Sequence, residues 1–218
     1  MKRLLAIILS GCLSVALAAE ARSDNAPRRT VLANGLVLLS SEQKALPMVS
    51  IELLIHAGSR YDPAAHEGIA NLTAELLTYG TERRTALEIS EFLDFIGARL
   101  SVDCGEDLAT VSMTILKKDL ANGLELLAEI LTAAAFPQDE IERRKQSIIA
   151  SIKAREEDPG AIAALRFQSA LYPDSPFGRP VEGSEASVQA IPRERVIEFY
   201  RAHYRPNRAI MAVVGAIT

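Results

Sequence analysis

Between Met48 and Tyr79 the chain changes its hydrophobic period, and this change constrains the fold more than any other feature. MVSIELLIHAGS alternates apolar and polar residues before turning fully apolar, the pattern of a central strand. A turn around Asp62-Pro63 follows. A helix is then expected from about His66 to Tyr79, with Ile69, Leu72, Leu76 and Leu77 on its apolar face. A strand that hands over to a helix within so few residues must pack the two together, so one layer of helices on a sheet is implied.

The rest of the chain supplies the other elements. Two β-rich runs flank Asn34-Gly35, a strong signal for a tight hairpin. Thr85 with Glu88 three residues on forms a capping box for a helix that ends at Gly97. Leu100 to Cys104 and Leu108 to Leu116 are expected as strands joined through Gly105-Glu106-Asp107. Asp119 is expected to cap a long helix stopped by Pro137, and Gln138 to about Glu157 forms another. On that helix Ile141, Ile148, Ile149 and Ile152 make the buried stripe, while Arg143, Arg144, Lys145 and Lys153 are expected on a solvated face. Asp158-Pro159-Gly160 breaks it, and a further helix covers about Ala161 to Leu171. The run YPDSPFGRPVEGS is too rich in breakers for regular structure. A helix from Pro192 to His203 and a strand from Arg208 to Val214 close the chain. The resulting fold class is α+β, an antiparallel sheet with helices packed on one face.

Composition excludes some functions. Hydrophobic residues make up 49% and charged residues 24% of the 218 positions, enough apolar material for a buried core beneath an ordinary mixed surface. The formal net charge is −4, and −6 without Lys2 and Arg3 of the leader, which leaves 22 basic against 28 acidic residues. Such a balance gives no footprint for nucleic acid. Residues 1–19 have a basic tip, an apolar run and a small-residue end, the pattern of a secretory signal peptide with cleavage after Ala18. Export to a periplasm follows from that pattern. Leu9-Ser10-Gly11-Cys12 supports a second course, in which Cys12 is lipidated and anchors the chain to a membrane. Residues 20–28 form a polar linker. Cys104 then has no partner for an internal disulfide and is expected as a small buried hydrophobe.

The segments GSRYDP, EGIA and LLTYGT, with EEDP, YPDSPFGRPVEGSEASVQAI and EFYRAHYRPNRAIMAVVG further on, resemble the insulinase/pitrilysin family of zinc metallopeptidases, which includes the mitochondrial processing peptidase. The resemblance covers nearly the whole mature chain, residues 29–218, as the family's N-terminal domain, and implies the same α+β fold. Active members carry His-x-x-Glu-His on the helix between these segments. Here the first histidine falls on Asn71, the general-base glutamate on Ala74 and the second histidine on Glu75. These side chains, at i, i+3 and i+4, project from one side of a helix. The family's third ligand, eight residues before the proline of EEDP, falls on Ser151.

Zinc requires nitrogen, sulfur or carboxylate donors, and a catalytic site also requires a base for the bound water. An asparagine amide is a weak donor, a serine hydroxyl is a poor ligand and alanine takes no proton, so neither zinc nor a catalytic residue is expected. Glu75, Asn71 and Thr78 are expected as a solvated polar stripe. His56, His66 and His203 lack ligand spacing and are read as packing or surface residues. The family resemblance implies a second homologous domain, absent from these residues, so either these residues are a fragment of a longer chain or the partner domain comes from another polypeptide. The leading expectation is therefore a non-catalytic, peptidase-like subunit that pairs with a zinc-bearing homologue around a chamber for peptide substrates. The alternatives are an active zinc peptidase that uses displaced ligands, Glu75 with Glu156, Glu157 or His66, and a purely structural subunit.

Overall fold

A computed structural model describes residues 26–217; the leader and Cys12 lie outside them. Six strands form one sheet: β1 (Arg28–Val31), β2 (Val37–Glu42), β3 (Met48–Ile55), β4 (Arg99–Cys104), β5 (Ala109–Leu116) and β6 (Ala209–Gly215), in the order β1-β2-β6-β3-β5-β4. Seven α-helices lie among the described residues: α1 (Ile69–Leu76), α2 (Ala86–Ile96), α3 (Leu120–Thr132), α4 (Gln138–Arg155), α5 (Pro159–Leu171), α6 (Glu185–Ala190) and α7 (Arg193–His203). The strand read from MVSIELLI takes a central place between β6 and β5.

The period-2 pattern sets the two faces of the sheet. Val49, Ile51, Leu53 and Ile55 of β3 are buried, as are Ala109, Val111, Met113 and Ile115 of β5, and the helices cover them. Ser50 and Glu52 of β3 face outward. At roughly 25 cal/mol per Å² of apolar surface removed from water, each of these large aliphatic side chains contributes about 2 kcal/mol. Four ladders are antiparallel, as expected; β2 and β6 run parallel, with Val37 opposite Ile210 and Glu42 opposite Gly215. The last strand lies between β2 and β3, which run antiparallel to each other on its two sides, so it can oppose only one of them.

Several element boundaries move. The helix expected from His66 to Tyr79 is shorter, because Gly68 takes a left-handed conformation (φ 90°) ahead of Ile69 and a separate 3-10 turn spans Ala64–His66. Asp119 makes no capping hydrogen bond and sits in a 3-10 turn, Lys117–Asp119. The helix after it ends at Thr132, short of Pro137, because Ala134 leaves to pair with Thr81 and Phe136 adopts φ 49°. α5 starts at Pro159, where the Asp158 carboxylate accepts the Gly160 amide hydrogen at 2.8 Å. The loop after α5 holds a 3-10 turn, Pro176–Gly178, and α6 was not expected at all. Its cap was present in the residues: the Ser184 hydroxyl accepts from the Ser187 amide, and the Ser187 hydroxyl accepts in return.

The polar face expected on α4 also changes. Lys145 is only 4% exposed, its ammonium donating to Glu142 at 3.2 Å and to the Gln189 carbonyl at 3.4 Å, so it fastens α6 to α4. Arg144 turns inward as well, toward α1.

Candidate functional site

The helix α1 is held at both ends. At its start the buried Asp62 carboxylate accepts hydrogen bonds from the Gly68 amide at 2.7 Å and the Ala70 amide at 3.0 Å, satisfying donors that a helix start leaves free. Beside it two chain segments cross with backbone against backbone. A Cβ on Gly68 would stand 2.4 Å from the Glu182 carbonyl oxygen, and one on Gly183 would stand 2.3 Å from that of Glu67. Ion pairs close the crossing: Arg179 with Glu67 at 3.2 Å, Arg155 with Glu182 at 3.0 Å and Lys153 with Glu185 at 2.8 Å. Past its end, Thr81 and Arg84 both bind the buried Glu129 of α3.

These clamps press α1 between β4, α7 and α4. Asn71 is 6% exposed and Ala74 is fully buried, so the expected solvated polar stripe is instead an enclosed one. The Asn71 side-chain amide donates to one Glu75 carboxylate oxygen at 3.1 Å. The Arg144 guanidinium donates to the other. The hydrogen bond to Glu75 holds Arg144 above the ordinary arginine value, so the guanidinium stays charged. Ser151 is exposed on α4, seven residues beyond Arg144 and therefore on about the same helix face.

The structure thus brings together Asn71, Ala74 and Glu75 on α1 and adds Arg144, which sequence reasoning had left on the solvated side. The signal that could have found it is its spacing of two turns from Ser151. The displaced donors do not converge on Glu75. Glu156 lines a cleft between α4 and α5 with Ile162 and Arg166. His66 ends the 3-10 turn before α1. His203 stacks on Phe199 at 4.4 Å and lies 5.0 Å from the Tyr61 ring, with burial and then Arg208 pushing its pKa down. His56 is exposed at the end of β3. No group of three or more His, Cys, Asp or Glu that could hold a metal ion occurs among the described residues. Cys104 is half-buried in β4, and burial pushes its thiol up to about 12, which leaves it protonated and unreactive at neutral pH.

Comparison with known proteins places this geometry among relatives. Residues 37–185 match the family described as Insulinase (Peptidase family M16). An uncharacterized zinc protease of Mycobacterium tuberculosis is 30% identical over 192 residues, which are 88% of this chain and 44% of that protein. A probable mitochondrial-processing peptidase subunit beta of Arabidopsis thaliana is 25% identical over 190 residues, 87% of this chain and 36% of that protein. The crystal structure of a peptidase M16 inactive domain from Pseudomonas fluorescens superposes with a TM-score of 0.85 at 26% identity, covering 88% of this chain and 47% of that one. The chain spans less than half the length of these relatives.

Proposed function

We propose, from the premise that this chain belongs to the insulinase family (peptidase family M16), that it is a non-catalytic, peptidase-like half or subunit. In this reading it is exported and helps to wall a peptide-binding chamber whose metal is held by a zinc-bearing homologue. One observation carries the reading. The single carboxylate at the family's ligand positions, Glu75, already has both oxygens engaged, one by Asn71 and one by Arg144.

The donor set does not fit zinc. A zinc site needs three protein donors converging at about 2.0–2.3 Å. These positions offer an amide that donates to its neighbour, a methyl group, an ion-paired carboxylate and an exposed hydroxyl. A buried methyl at position 74 also leaves no base to activate water. That a Pseudomonas fluorescens relative is described as an inactive domain supports the same reading.

What the fold retains is a surface for an extended chain. β4 is an edge strand with exposed Arg99, Ser101 and Asp103, and it packs against α1. Its unpaired edge groups can accept a peptide as a further strand without any metal. Two measurements test the proposal. Elemental analysis of the purified chain, after dialysis against a weak chelator and re-addition of metal, should find no retained zinc. Affinity capture with the tagged chain should recover a homologue bearing His-x-x-Glu-His. One zinc per chain, or a stable monomer that binds neither homologue nor peptide, would count decisively against it.

A further inference from the structure

We propose that Arg144 is the resident cation of this site: its guanidinium satisfies Glu75 in place of a metal and so latches α1 to α4. The inference rests on the reading of the chain as a metal-free homologue and adds the identity of the group that replaces the ion. The geometry is selective. Of the basic residues clustered on α4, Arg143 pairs with Glu140 at 3.4 Å and Lys145 with Glu142 at 3.2 Å, both within the helix. Arg144 alone of these three reaches across to α1, 69 residues away in sequence.

Both partners are largely withdrawn from water, with side chains 28% exposed for Arg144 and 20% for Glu75. Ordinary surface pairs contribute little because solvent screens them and the side chains lose freedom. Here Asn71 holds the free side of the Glu75 carboxylate, so the ordering is shared among three groups. Without Arg144, Glu75 would be left in a partly buried site with only an amide donor, a costly position for a carboxylate. A metal peptidase joins these two helices through its ion. This chain joins them through a fixed organic charge, which also repels a divalent cation from the same place.

The test is a double-mutant cycle read by urea unfolding of the full chain, with Glu75→Gln, Arg144→Met and the pair combined. The expected result is that the double variant loses much less than the sum of the two singles, a coupling of about tenfold in the unfolding constant. Strict additivity overturns the latch. If Arg144→Met alone fails to fold, folding of the double variant supports the proposal and its failure overturns it. Zinc retained by the wild-type chain would sink the metal-free reading and the latch together, whereas a metal-free chain with additive singles would sink only the latch.

Discussion

Asp62 carries a carboxylate into a setting that disfavours its charge. It is 8% exposed, and burial, partly offset by the two amide donors and by Arg179, pushes its pKa from the ordinary 3.8 up to about 7. The folded state therefore holds this proton more tightly than the unfolded chain does. Its contribution to stability is complete below about pH 3.8 and is lost as pH rises through about 7. Urea midpoints should accordingly fall between about pH 4 and about pH 7 more steeply in the wild-type chain than in Asp62→Asn, and parallel slopes would show that Asp62 titrates normally. The same scale shows how much of the site the sequence could give. Asn71, Ala74 and Glu75 were legible only through the resemblance of the segments around them to the family's motif. Arg144 was not, because an arginine among neighbouring cations on a helix has the same local pattern whether it faces water or a distant carboxylate.

At the scale of elements, the position of α1 depends on two crossing segments that both need glycine. Gly68 and Gly183 have φ of 90° and 76°, and each would drive a Cβ into a carbonyl oxygen of the other segment. Gly97, at the end of α2, has φ 61° with open space around it. Alanine at Gly97 should cost about 1 kcal/mol, the strain of the left-handed conformation alone. At Gly68 or Gly183 it should cost about 3 kcal/mol or more, since the backbone must also move. Urea unfolding of the three variants checks this ordering, and equal losses would mean that the crossing relaxes freely. Helix ends with a local signature, such as the capping box at Thr85 and Glu88, follow directly from the sequence. Asp119 shows the limit, since a capping residue type is preempted when the chain arrives in a 3-10 turn.

For the whole molecule, the sheet has one helix-covered face and a free edge beside an enclosed helix, and under the proposed function that edge holds an extended chain without a metal. Binding of a fluorescent unstructured peptide, followed by anisotropy, should therefore be unchanged by a chelator. Loss of binding on chelation would point to a metal-dependent surface. By itself the sequence determined the alternation of strands and helices, the Asn34-Gly35 hairpin, the central β3 strand and the family frame around a substituted ligand motif. Each of these is written in periods, turn residues or motifs that span a few neighbouring positions. Only the tertiary structure decided that β6 lies parallel to β2, that Lys145 is buried under α6 and that Arg144 answers Glu75. Those outcomes join residues far apart in the chain. They are fixed by which surfaces remain to be covered once the sheet and helices have packed, a condition that no local pattern encodes.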